Sequence, residues 1–111
     1  MRTGSCMPEI IKDARTFRAD RPWGARDIAL IDGASVRLHW TDQPYKWHVN
    51  DGTEVFVVLE GTVDMHYREG GAEKIVQLGA GDMFVAGVGD SHVARPIGEA
   101  RVLVIEREGS V

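Results

Sequence analysis

The sequence predicts an all-β domain, either a closed antiparallel barrel or a double-sheet sandwich. Three observations carry this. About eight short strand-like segments recur at near-regular spacing, Gly and Asp residues separate them, and almost no helical period is present. The segment Pro8–Arg18 alone has a helical or mixed reading, and Arg21-Pro22-Trp23-Gly24 breaks it. Ile28–Ile31 is the first expected strand, closed by the turn signal Asp32-Gly33. Val36, Leu38 and Trp40 then alternate with Arg37, His39 and Thr41, the two-residue period of a strand. Glu54–Leu59 is a compact apolar run. Gly61 is expected to end it and Thr62 to begin the return strand of a hairpin. Val63, Met65 and Tyr67 alternate with Asp64 and His66. Glu69-Gly70-Gly71 turns the chain into Lys74–Leu78, and Gly79-Ala80-Gly81 turns it again. Met83–Ala86, His92–Arg95 and Arg101–Glu106 complete the set, with Glu106-Arg107-Glu108 read as a solvated end. No internal repeat, linker or low-complexity tract is read.

Composition bounds the function. A chain of 111 residues, 43% hydrophobic and 27% charged, is one domain that buries a core without staples. The net charge is −4, and no Lys/Arg cluster is present that could neutralise phosphates, which argues against nucleic acid. No apolar run approaches a membrane span and no signal peptide is visible, so the default address is the cytoplasm. The lone cysteine, Cys6, cannot form an internal disulfide and lies in an N-terminal stretch expected to be poorly ordered; translation starting at Met7 would leave it out.

Chemistry concentrates in two strings. Trp47 to Gly61 carries His48, Asn50 and Glu54; Gly79 to His92 ends on His92. Two imidazoles and a carboxylate on strand-like segments can form a facial ligand set for a catalytic divalent metal. His48, Asn50 and Glu54 share parity, although Asp51-Gly52-Thr53 can change the register. Asn50 has three readings: a neutral ligand, a hydrogen-bonding partner of a metal-bound water, or the mark of a degraded site. His39 and His66 read as surface or satisfied rim residues, and Arg37 and Arg95 as strand-edge charges that can also orient an anionic substrate. Aromatic barrel residues, Trp47, Phe56 and Phe84 among them, are candidates to line a ligand pocket. No nucleophile elbow and no Gly-rich phosphate loop is present.

These residues resemble the cupin superfamily, in particular the small single-domain cupin 2 proteins. The first cupin motif is Gly, five residues, His-x-His, three or four residues, Glu, six residues, Gly. His48-x-Asn50, three residues, Glu54, six residues, Gly61 matches it, with Asn50 in place of the second His and the leading Gly missing. The second motif is Gly, five residues, Pro-x-Gly, two residues, His, three residues, Asn. Gly81, five residues, Gly87-x-Gly89, two residues, His92, three residues, Pro96 has its spacing, with Gly87 for Pro and Pro96 for Asn. Ala100–Glu106 also resembles a mannose-6-phosphate-isomerase-like subgroup. The resemblance implies a conical antiparallel barrel, also called a double-stranded β-helix or jelly roll, over residues 27–111. Residues 1–26 would be an extension that can pair with a partner protomer in a homodimer. It implies one divalent transition metal, Mn, Fe, Ni, Zn or Cu, on His48, Glu54 and His92, with Asn50 as the departure. The expected function is a metal-dependent isomerase or dioxygenase-like reaction on a small polar metabolite. The alternatives are a non-catalytic binding or sensing module and a vestigial metal-free barrel.

Overall fold

The structure is a computed structural model and describes residues 7–110; Cys6 lies outside them. A single 3-10 turn, Ala14–Thr16, is the whole of the helical content expected in Pro8–Arg18. Seven strands follow: β1 (Gly24–Ile31), β2 (Ala34–Thr41), β3 (His48–Val49), β4 (Glu54–Glu69), β5 (Ala72–Leu78), β6 (Met83–Ala86) and β7 (Ser91–Arg107). All pairings are antiparallel, in the order β1-β2-β7-β4-β5, with β3 on β7 and β6 on β4. No helix among the described residues is long and apolar enough to cross a membrane.

Turn chemistry sets the short hairpins. Asp32-Gly33 joins the paired residues Ile31 and Ala34 with both φ angles positive, 49° and 82°. Gly70-Gly71 does the same between Glu69 and Ala72, at 59° and 82°. Both are two-residue loops of the primed kind, whose twist matches that of the strands they join.

The expected hairpin at Gly61 is not formed. Glu54–Leu59 and Val63–Tyr67 are the two halves of one long strand, β4, and His92–Arg95 and Arg101–Glu106 are likewise the two halves of β7. The two strands pair along their lengths, with the register breaking between Val58 and Thr62. A bulge bends a strand without ending it, and Gly61 sits at the bend with φ 92°. A Cβ there would stand 2.4 Å from the Glu99 carbonyl oxygen. The bulge also shifts the inward parity from Phe56 and Val58 to Val63 and Met65, all four in the core. Folding the pair over lays one half of the sheet (β1, β2, the end of β7, the start of β4, β6) against the other (β3, the start of β7, the end of β4, β5).

Val58, Val63, Met65, Ala100 and Val102 are fully buried between the halves. The opposite face of β2 is buried too: Leu38 is 1% and Trp40 4% exposed. The N-terminal segment covers it. Arg18 lies over the Trp40 ring, Arg26 pairs with Glu9 and Asp13, and Arg101 Nε donates to the Phe17 carbonyl. Strand β1 begins at Gly24 and pairs with β2 of its own chain.

Candidate metal centre

The bend brings the two sequence strings together. His48 on β3 is the register partner of His92 on β7, and Glu54 opens β4 on the facing half of the barrel. His92 Nε2 lies 3.1 Å and His48 Nε2 4.0 Å from Glu54 Oε1. One ligand atom from each of the three lies within 4.8 Å of the others. His92 is 2% and Glu54 7% exposed.

Asn50 is built into this cluster. Its amide nitrogen donates to Glu54 Oε1 and to the Gly52 carbonyl, each at 3.2 Å. Both partners are acceptors, so the amide orientation is fixed and Oδ1 faces His92 Nε2 at 2.6 Å. His92 therefore carries its proton on Nε2, shared between Asn50 Oδ1 and Glu54 Oε1. Its buried Nδ1 has no partner among the described residues. His48 Nδ1 donates to the Lys46 carbonyl at 3.1 Å, which leaves Nε2 as a lone pair turned to the cluster. A backbone carbonyl behind a ring N–H is the usual support of a metal-ligating histidine.

Asn50 is held by a turn that the sequence reading passed over. Gly79-Ala80-Gly81-Asp82 and Gly87-Val88-Gly89-Asp90 are two copies of one device. In each, the Asp N–H donates to the first Gly carbonyl, and the Asp carboxylate accepts from the first Gly N–H at 2.8 and 2.7 Å. The third residue has φ 91° or 87°. The first copy clamps the backbone of Val58 through two hydrogen bonds; the second clamps Asn50, N–H to Asp90 O at 2.9 Å and O from Gly89 N–H at 2.8 Å. The signal was the repeated string Gly-x-Gly-Asp.

The cluster opens onto a cavity of about 230 Å³. Phe56 lines it. Phe84 is not among the lining residues; its ring packs against His92 at 5.5 Å. Trp47 is also absent from the wall and stacks under the Arg68 guanidinium at 4.9 Å. Trp23 and Tyr45 are on the wall in their place, Trp23 with a left-handed backbone, φ 61°, that a bulky residue adopts only under constraint. His39 faces the cavity, with Nδ1 donating to the Trp23 carbonyl. Burial holds its pKa below the ordinary histidine value despite that bond. His66 pairs with Glu73, away from the cavity.

Glu106 corrects the sequence reading of a solvated tail. It is in β7, opposite Glu54 across the ladder, and lines the cavity. Burial and then the neighbouring Glu54 carboxylate raise its pKa to about 7. For Glu54, burial also pushes upward, but hydrogen bonds from His92 and Asn50 and the nearby imidazoles outweigh it and hold the pKa below the usual carboxylate value.

These donors fit a divalent transition ion. Bonds of about 2.1 Å place neighbouring ligand atoms about 3.0–3.4 Å apart. The His92–Glu54 separation of 3.1 Å falls in that range and the His48–Glu54 separation of 4.0 Å exceeds it, so closing the set takes an adjustment at His48 and movement of the His92 proton off Nε2.

The barrel is of the cupin type, and the structural neighbours are cupin-2 domain and cupin superfamily proteins. A cupin-2 domain-containing protein of Shewanella frigidimarina is 28% identical over 81% of this chain and 85% of its own, with a TM-score of 0.72. A cupin superfamily protein of Desulfitobacterium hafniense is 13% identical, covers 91% of this chain and 92% of its own, and has a TM-score of 0.75. A hydroquinone 1,2-dioxygenase solved in complex with Fe3+ is 16% identical with a TM-score of 0.72; the match covers 82% of this chain and 29% of that one. These last two are likenesses of fold. No family model matches the chain, and no curated protein matches it.

Proposed function

We propose that this protein is a metal-dependent cupin. A divalent transition ion is held by His48, Glu54 and His92, with Asn50 Oδ1 as a neutral fourth donor, and a small polar metabolite enters the adjoining cavity. The observation that carries the reading is the gathering of one ligand atom each from His48, Glu54 and His92 within 4.8 Å, with Asn50 Oδ1 2.6 Å from His92 Nε2. When bound, such an ion polarises an oxygen donor of the substrate and activates water or dioxygen, the chemistry of isomerase and dioxygenase-like cupins. The chain's own residues do the rest. Lys46 and the turn at Gly87–Asp90 orient the donors, Phe56, Val104 and Trp23 give the wall an apolar patch, and Glu106 can hold or release a proton beside Glu54. An imidazole binds borderline metals better than an amide, so affinity is below that of a three-histidine site.

Metal analysis of untagged protein tests this. A stoichiometric transition metal that His48→Ala removes is the expected result. Less than about a tenth of an equivalent, unchanged by that substitution, sinks it.

One observation favours a second reading, a metal-free binding module. The Asn50–His92–Glu54 bonds already satisfy most of the buried polar atoms without a cation. A ligand-induced rise in melting temperature that survives chelation, without turnover, would support it. A homodimer belongs to either reading, because Ile75, Met83, Val85 and Val88 expose apolar side chains; sedimentation at micromolar concentration showing only monomer would contradict it.

A further inference from the structure

The cavity has a second pole that the metal ligands leave unused. Arg37 is the one Lys or Arg on its wall among the described residues. It faces Val104 across the β2–β7 ladder, and Val104 faces Phe56 across β7–β4. Two rungs along, on the same face, lie Ser35, Glu106 and Glu54. Arg37 thus stands two strands and two rungs from Glu54, about 12 Å between Cα atoms from sheet spacings, with the cavity between the side chains. Asp27 accepts from Arg37 Nε at 2.9 Å and fixes the plane of the guanidinium. The two terminal nitrogens make no hydrogen bond among the described residues. That free edge is the fork that a carboxylate fills with two parallel bonds.

The other groups near Arg37 restrict what it can take. Glu106 and Glu54 stand two rungs away on the same face, and no second permanent cation is on the wall among the described residues, so a phosphate dianion would be half-neutralised at most and would face carboxylates. Phe56, Val104, Ala94 and Trp23 make the surface beside it apolar. We propose that Arg37 is the anion-binding pole of the cavity and that the ligand is a small monocarboxylate with an apolar body, its carboxylate on Arg37 and its far end toward the His48–Glu54–His92 cluster. This rests on the cavity being the ligand site of the proposed function, not on the ion.

Calorimetric titration with benzoate, benzyl alcohol and inorganic phosphate tests it, on wild-type protein as purified and after chelation. Benzoate should bind in both states and more tightly than the other two. Arg37→Gln should weaken benzoate about tenfold or more, leave benzyl alcohol unchanged and leave metal content unchanged, and Arg37→Lys should fall between. Arg37 is half exposed, so these variants keep the fold. No benzoate binding at millimolar concentration, equal binding by Arg37→Gln, or preference for benzyl alcohol or phosphate overturns the proposal. The metal reading fails separately: a protein without metal that still binds benzoate through Arg37 loses the ion and keeps the anion pole.

Discussion

Glu54 opens β4 and Glu106 nearly closes β7; they face each other across one rung, border one cavity, and behave oppositely. Burial disfavours the charged form of both. Glu54 has two hydrogen-bond donors, His92 and Asn50, and its pKa falls. Glu106 has no such donors among the described residues, so burial and then the charge of Glu54 raise its pKa to about 7. Two identical side chains at one level of one sheet are thus told apart by what the opposite half of the barrel brings to them. Separation of this kind is how a site holds one carboxylate ready as a ligand and another ready to carry a proton.

The comparison is broken most completely by undoing the bend. Gly61→Ala places a Cβ at φ 92° and 2.4 Å from a carbonyl oxygen that belongs to the paired strand. The halves would separate, at a cost of at least about 3 kcal/mol. Urea denaturation should show a large loss of stability or no folded protein, and wild-type stability would refute the account of Gly61. Next in size is His92→Ala, which removes the main donor to a buried carboxylate and opens a cavity. A loss of about 3 kcal/mol is expected in chelator, together with loss of bound metal. Glu54 should then behave like Glu106, with its pKa raised, which carboxylate NMR titration can read.

The sequence made the strands and the His48–Glu54–His92 cluster readable because both are local patterns: alternation in Val36–Thr41, turn dipeptides such as Asp32-Gly33, and motif spacing around the three residues. What it hid depends on the third dimension. Gly61 reads as a hairpin end because glycine after an apolar run fits a turn and a bulge equally. Glu106 sits in a charged tail, Glu-Arg-Glu, and its burial follows from pairing with a strand about fifty residues earlier. Arg37 and His39 alternate with Leu38 and Trp40, and the usual rule puts the apolar set inside. Here the N-terminal segment covers the apolar face, so the polar set lines the cavity. The direction of the Asn50 amide could not be read, because Gly52 and Glu54 fix it only once the loop is folded.

Asn50→Ala sharpens the contrast at moderate cost. It removes one of the two donors to Glu54 and the acceptor of the His92 proton. A destabilisation of about 1–2 kcal/mol is expected in chelator. Metal affinity should fall as well, while Asn50→His, which puts an imidazole at the fourth position, should raise it. Competition against a chromophoric chelator measures both. If Asn50→Ala binds metal more tightly than wild type, Oδ1 is a competitor for His92 rather than a donor to the ion.

The smallest effect is the most specific. Glu54 has a folded pKa below its unfolded value, so its contribution is present above the unfolded value, about 4.5, and is lost as pH falls through the folded value. Glu106 has the reverse sign. The folded state holds its proton between about 4.5 and about 7 where the unfolded chain has released it, so stability declines as pH rises across that window. His39, with a lowered pKa, adds a further loss as pH drops below 6.5, because the unfolded chain takes up the proton first. Metal-free protein should therefore be most stable on the mildly acidic side of neutrality, between an acid limb set by Glu54 and a higher-pH, or alkaline, limb that Glu106 sets as pH rises to about 7 and that His39 opposes below 6.5. Glu106→Gln cannot ionise and should flatten the alkaline limb, raising the melting temperature at pH 8 relative to wild type while leaving the acid limb in place. Thermal denaturation from pH 4 to 9 in chelator decides the matter. An unchanged alkaline limb would mean that Glu106 is solvated after all and that the two carboxylates are not a matched pair.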